Sequence, residues 1–89
     1  MSGTDNSEIH VRVLFFGAAR DAAGQDVVDV RLNSPANVAS AFQQLLAEYP
    51  ALARFGNSLL LAVNQEYASA DRELSDGDEL AVLPPVSGG

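Results

Sequence analysis

The feature that most constrains this fold is one apolar stripe at helical spacing, placed between segments in which apolar residues alternate. The segments Ile9–Phe16 and Val27–Leu32 both alternate with a period of two, which predicts two strands. The connection at Gly17–Gly24 is short and rich in small residues, which predicts a turn and an antiparallel hairpin rather than a crossover. One face of the first strand carries Ile9, Val11, Val13 and Phe15, and the other carries His10, Arg12, Leu14 and Phe16.

The apolar stripe predicts a single main helix. Ser34-Pro35 is the predicted start, because serine can cap free backbone N–H groups and proline suits the first helical position. Pro50 ends the helix near Glu48 or Tyr49. The stripe consists of Val38, Phe42, Leu45, Leu46 and Tyr49.

The rest of the chain alternates between short strand segments and turns. A wholly apolar strand is predicted at Leu59–Val63, a short edge segment at Tyr67–Ser69 and a last strand at Glu79–Leu83. Turns are predicted at Asn64–Glu66 and Ser75–Asp78.

This order of elements is that of the ubiquitin-like β-grasp. It predicts an α+β domain over residues 9–83, with a mixed sheet of four to five strands and one main helix on one face. The last strand would pair in parallel beside the first, in the centre of the sheet. Residues 1–8 are then expected to form a flexible tail, and residues 84–89 an extended tail ending in Gly-Gly.

The charge balance bears on the class of partner. Twelve acidic residues and five arginines give a formal net charge of −7, which disfavours nucleic acid because phosphate backbones would be repelled. A basic protein partner is favoured instead, although net charge can also simply maintain solubility.

The apolar runs are far shorter than the about 20 residues of a membrane span, so no membrane is expected. The chain has no cysteine and no visible secretory signal, which predicts a cytoplasmic location.

No side chain predicts a conventional active site, a metal site or a bound cofactor. His10 stands alone, without a serine or cysteine beside it in sequence. The acidic residues between Asp71 and Glu79 do not fit a calcium loop, because the required glycine would place Arg72 at the first ligand position. The segment Gly17–Arg20 lacks the lysine of a phosphate-binding loop.

The C-terminal tail offers a different kind of chemistry. A terminal Gly88-Gly89 has a chance of roughly 0.5% when glycine is about 7% of residues, and it follows the stiff Pro84-Pro85. The terminal carboxylate has a pKa near 3.3–3.7, so it is ionised and must be activated, for example as an acyl-adenylate made from ATP. A sulfur donor could then displace AMP and leave a thiocarboxylate. A frayed terminus is the alternative interpretation.

An apolar patch is expected beside this tail. If the alternation is right, Leu14 and Phe16 share the outward face with Ala81 and Leu83, and Tyr67 extends it. Monomers rarely leave such a patch uncovered, so it predicts a partner or a homodimer.

Four segments resemble the ubiquitin-related sulfur carriers that include the small subunit of molybdopterin synthase (the MoaD/ThiS-like family). They are residues 13–20, 62–65, 74–80 and 84–89, and the resemblance extends over residues 9–89. It implies a β-grasp whose terminal Gly89 is adenylated by a ubiquitin-activating-like adenylyltransferase, which uses ATP, and then thiocarboxylated. The sulfur would come from a desulfurase or rhodanese type of donor.

The resemblance also implies partners and site residues. The tail would enter the synthase large subunit, which performs the catalysis, in a two-plus-two heterotetramer. Two sulfurs would then reach precursor Z (cyclic pyranopterin monophosphate). The chemistry would lie at Gly88 and Gly89, and partner contacts at Phe16, Arg20, Tyr67, Leu83, Pro84, Pro85, Val86 and Ser87. The alternatives are a sulfur carrier for thiamin or another pathway, a protein-conjugating modifier, and a β-grasp binding module with an inert tail.

Overall fold

The computed structural model describes residues 8–85, which form seven strands, two α-helices and one 3₁₀ helix. The strands are β1 Glu8–Phe15, β2 Val27–Asn33, β3 Ala36–Asn37, β4 Leu60–Val63, β5 Glu66–Tyr67, β6 Glu73–Leu74 and β7 Glu79–Leu83. The helices are α1 Gly17–Ala23, α2 Val38–Glu48 and the 3₁₀ helix Pro50–Phe55. Strand β1 begins at Glu8, one residue before the strand predicted from Ile9. The predictions for residues 1–7 and 86–89 lie outside the described residues.

Five strands form one mixed sheet in the order β2-β1-β7-β4-β5. Strand β1 pairs antiparallel with β2 and parallel with β7, so the last strand lies at the centre of the sheet. The predicted hairpin, the parallel central pair and the α+β β-grasp class are therefore confirmed. Strands β3 and β6 form a separate two-stranded ladder.

The core lies between the sheet and α2, as the alternation predicted. The inward residues of β1 are buried, and Phe42, Leu46 and Tyr49 of the helix stripe are partly buried against the core. Val38 and Leu45 of that stripe are completely buried, and so is Ala41, which lies on the same helix outside the stripe. Tyr49 follows the helix and packs edge-on against Phe15, with ring centroids 5.7 Å apart.

The predicted start of the main helix is wrong. Helix α2 begins at Val38, three residues after Pro35, because Ala36–Asn37 pairs with β6 before the helix begins. Asn37 is the actual cap: its Oδ1 accepts from the Ser40 N–H at 2.8 Å, and Ser40 Oγ accepts from the Asn37 N–H at 2.9 Å. This reciprocal pair satisfies two N–H groups that the helix itself cannot satisfy.

The turn predicted at residues 17–24 is also wrong, because most of this segment is helix α1. Ala19 is completely buried, so one face of the short helix joins the core. Gly24 ends the helix in a left-handed conformation with φ of 74°, which glycine adopts without a Cβ clash. The two strands still form an antiparallel pair, but a helix connects them.

Candidate functional site

The outward face of the sheet carries an apolar row that crosses all five strands. Residues directly opposite each other on neighbouring strands point to the same face, and the register aligns one residue from each strand. Ala62 is buried in this row, whereas Val27 and Tyr67 at its two ends are exposed. In sheet order the row is Val27, Leu14, Ala81, Ala62 and Tyr67.

A second apolar row lies next to the first, on the side where β7 ends. Leu60 is opposite Leu83, and Phe16 lies beside them because its N–H donates to the Val82 carbonyl at 3.1 Å. Within residues 8–85 the exposed large apolar side chains all belong to these two rows. They are Phe16 at 44%, Val27 at 48%, Leu60 at 37% and Tyr67 at 75% exposure.

These two rows, together called the apolar face below, include the patch predicted from the sequence. Leu14, Phe16, Ala81 and Leu83 do lie together, and Tyr67 does extend them. Sequence reasoning missed Val27 and Leu60. Val27 shares a face with Asp29 and Arg31 in its alternating segment, but only the register places it beside Leu14. Leu60 lies within an unbroken apolar run, which does not show which residue faces outward.

The apolar face encloses a shallow depression of about 350 Å³. Six of its lining residues belong to the two rows, and Gln65 and Glu79 form its polar end. Beyond this end the next row is charged, because Arg12 lies opposite both Asp29 and Glu79 in the register. The outward face is therefore apolar towards the C-terminal end of β7 and charged towards its start.

The chain continues beyond β7 at the apolar end of this face. Pro84 follows β7 directly and lies against Gly17, where a Cβ would come within 3.0 Å of the Pro84 Cγ. Gly17 also has a φ of 54°, so both its backbone conformation and its contact with Pro84 favour glycine. Pro84 is half-buried and Pro85 is exposed. The sites predicted at Val86, Ser87, Gly88 and Gly89 lie outside the described residues.

The predicted partner residues do not all meet in one place. Phe16, Tyr67 and Leu83 line the same depression, whereas Arg20 does not. Arg20 lies on α1, one turn after Phe16, and its Nε is 3.5 Å from Asp26 Oδ1. Both of these side chains are more than half exposed. Arg20 thus forms a separate polar site beyond the apolar face.

Other candidate chemistry in the described part of the chain is sparse. Within residues 8–85 no group of three or more His, Cys, Asp or Glu is placed to hold a metal ion. His10 connects β1 to the turn before β7: its N–H donates to Asp76 Oδ1 at 2.8 Å, and its carbonyl accepts from the Gly77 N–H at 2.8 Å. No helix in this range is long and apolar enough to cross a bilayer.

Comparison with known proteins identifies the family. Residues 13–89 match the ThiS family. The chain belongs to this family. The match includes β1 from Val13 onwards, the apolar face and the tail, so it spans every element of the candidate site.

Individual relatives agree with this assignment. The molybdopterin synthase sulfur carrier subunit of Escherichia coli is 42% identical over 81 residues, which are 89% of this chain and 99% of that protein. The crystal structure of SAMP1 from Haloferax volcanii has a TM-score of 0.81 at 31% identity, covering 90% of this chain and 99% of that one.

A third relative was solved as a complex. In the protein–protein complex of subunits 1 and 2 of the molybdopterin-converting factor from Helicobacter pylori, the matching chain has a TM-score of 0.63 at 27% identity. The match covers 91% of this chain and 100% of that one. The resemblance to sulfur carriers expected from the sequence is therefore confirmed, and so is the β-grasp fold.

Proposed function

We propose that this chain is the sulfur carrier subunit of a molybdopterin synthase. The observation that carries the proposal is the placement of the apolar face beside the exit of a Gly-Gly tail, in a member of the ThiS family. A carrier needs both features, because a partner must hold the domain while the end of the chain reaches the partner's reactive centre.

The reactive group is the Gly89 carboxylate. An adenylyltransferase related to ubiquitin-activating enzymes joins it to the AMP part of ATP and releases pyrophosphate. The outer sulfur of a persulfide on a desulfurase or rhodanese type of donor then attacks the acyl-adenylate and displaces AMP, which gives an acyl disulfide. A second thiol attacks the donor's sulfur in this disulfide, forms a new disulfide with the donor's cysteine, and releases the thiocarboxylate, –COS⁻. Because ATP and these enzymes act in the cytoplasm, the proposal includes a cytoplasmic location. In this proposal the reacting group is the backbone terminus, and no side chain of residues 8–85 acts as an acid or a base.

The partner that receives the tail is the synthase large subunit, where two sulfurs are transferred to precursor Z. The apolar face provides the docking area. Burying four large side chains contributes at most roughly 6–12 kcal/mol, at about 1.5–3 kcal/mol each. Association costs about 4–15 kcal/mol, so insertion of the tail must supply part of the affinity. The structure solved for Helicobacter pylori supports this pairing, since it joins the two converting-factor subunits.

Mass spectrometry of the intact chain tests this proposal. After incubation with activating enzyme, ATP and a sulfur donor, one oxygen of the chain should be replaced by sulfur. A chain extended by one alanine after Gly89 is a matched control, because it keeps every residue but converts the reactive carboxylate into an amide. If the native chain stays unchanged while a known carrier reacts, the proposal is wrong. Unimpaired synthase activity after deletion of Gly89 would favour a binding module.

Protein modification is a second candidate function. The likeness to SAMP1, a small archaeal modifier protein, favours it. The same activated Gly89 could then acylate a lysine of a target protein. The chain has no lysine, so it could be attached to targets but could not form chains through its own side chains. Adducts found by mass spectrometry of cell extracts, and lost on deletion of Gly89, would support this function.

A further inference from the structure

The turn between β4 and β5 contains two consecutive residues in the left-handed region. Asn64 has a φ of 51° and Gln65 a φ of 73°. Two-residue hairpin turns of this kind favour asparagine at the first position and glycine at the second, because only glycine escapes the Cβ clash. Asn64 fits this rule and Gln65 does not. Gln65 therefore carries a side chain at a position whose backbone conformation favours glycine.

Hydrogen bonds around Asn64 hold the turn in place. Its Oδ1 accepts from the Glu79 N–H at 3.1 Å, and its N–H donates to the Glu79 carbonyl at 2.8 Å. Its Nδ2 donates to Asp78 Oδ1 at 3.0 Å, while Asp78 Oδ2 accepts from the Ser75 N–H at 2.8 Å. The turn is thus joined to the start of β7, and the position of Gln65 relative to Glu79 is set.

Gln65 lines the depression on the apolar face. It lies there with Glu79, at the end opposite the tail, while the other six lining residues belong to the two rows. A residue other than glycine in the left-handed region at such a place points to a functional role. The strain has no evident structural benefit, because the hydrogen bonds of the turn use Asn64 and backbone groups rather than the Gln65 side chain.

Glu79 contributes a carboxylate to the same end of the depression. It is half-buried, and within residues 8–85 its hydrogen bonds are made by its backbone N–H and carbonyl groups. Arg12 is opposite Glu79 in the register, yet in this part of the chain no ion pair within 4.0 Å joins them. Asp29 lies on the other side of Arg12, so this row carries two acids for one base, and the next row on the same face has Arg31 opposite His10.

We propose that Gln65 and Glu79 form a polar anchor that takes a cationic side chain, arginine or lysine, from the partner that covers the apolar face. The methylene part of such a side chain would pack on the apolar rows, and its charged end would reach the carboxylate and the amide oxygen. The net charge of −7 favours a cationic group here. The inference rests on the proposed function, since the partner meant is the synthase large subunit.

The substitution Gln65→Gly separates strain from function. Glycine relieves the left-handed conformation, and this gain exceeds the extra entropy that glycine gives the unfolded chain. The melting temperature should therefore rise by roughly 2–6 °C. Affinity for the large subunit should fall about three- to tenfold, because a hydrogen-bonding group is lost. A variant that melts lower than the native chain would overturn the strain argument, and unchanged affinity would overturn the anchor.

The substitution Glu79→Gln tests the charge with almost no change of shape. Calorimetric titration against the large subunit should show about tenfold weaker binding and a weaker dependence on salt concentration. Glu48→Gln is the matched control, because it removes the same charge from the exposed end of α2, on the other side of the sheet. If the two variants bind equally well, the anchor is refuted. If the native chain itself fails to bind the large subunit, the proposed function fails instead.

Discussion

Substitution of Tyr67 by alanine is the sharpest test of the apolar face. Tyr67 lies on the short edge strand β5 and is 75% exposed, so its removal opens no cavity in the free domain. The free energy of unfolding should change by no more than about 0.5 kcal/mol, as is usual at the surface.

The effect on partner binding can be worked out from the exposed area. A tyrosine buries about 150–250 Å², so 75% corresponds to about 110–190 Å². At about 25 cal/mol per Å² the gross contribution is about 3–5 kcal/mol. Part of this is lost to ordering of the side chain and incomplete burial. We therefore expect the dissociation constant for the synthase large subunit to rise about 10- to 100-fold.

Isothermal titration of the full chain against the large subunit measures this change. Glu66→Ala is the matched control, because Glu66 precedes Tyr67 in β5 and lies opposite Val63, on the other face of the sheet. That variant should bind within about twofold of the native chain. Native affinity in the Tyr67→Ala variant, with both variants folded, would show that the partner does not cover this part of the apolar face.

Two further substitutions test the fold that supports the site. Leu80→Ala removes a completely buried side chain from the central strand β7. Denaturant titration should show that the free energy of unfolding falls by about 2–5 kcal/mol. A loss below about 1 kcal/mol would contradict the assigned core. Asn37→Ala breaks the reciprocal cap of α2 and should cost about 1 kcal/mol, whereas Asn37→Asp keeps an acceptor and should cost less; equal losses would argue against the cap.

The strands and the outward face could be predicted because alternation determines which side each residue faces. Once Val13 and Phe15 point to the core, Leu14 and Phe16 must point away from it. The same reasoning placed Ala81 and Leu83 on the outward face. The two pairs lie side by side because β1 and β7 are parallel neighbours, which followed from the order of the elements.

The remaining features depend on contacts between residues distant in sequence. Ser34-Pro35 satisfies the local rules for a helix start, but pairing of Ala36–Asn37 with β6 delays the helix until Val38. Helix α1 is too short to show an apolar stripe, and its small residues look the same in a turn. The outward position of Leu60 required the register with β7, which an unbroken apolar run does not reveal.

The central position of β7 links the proposed docking area to the proposed reactive end of the chain. Ala81 and Leu83 belong to the apolar face, and the next residue, Pro84, already lies at the exit of the tail. A partner that covers the face therefore fixes the origin of the tail without any further contact. From Leu83 to Gly89 an extended chain reaches at most about 20 Å, at roughly 3.3–3.6 Å per residue. The partner's sulfur-accepting centre must lie within this distance of the Leu83 contact. A tail shortened by one residue would end about 3 Å before that centre, and this gap is enough to abolish sulfur transfer even where docking is unchanged.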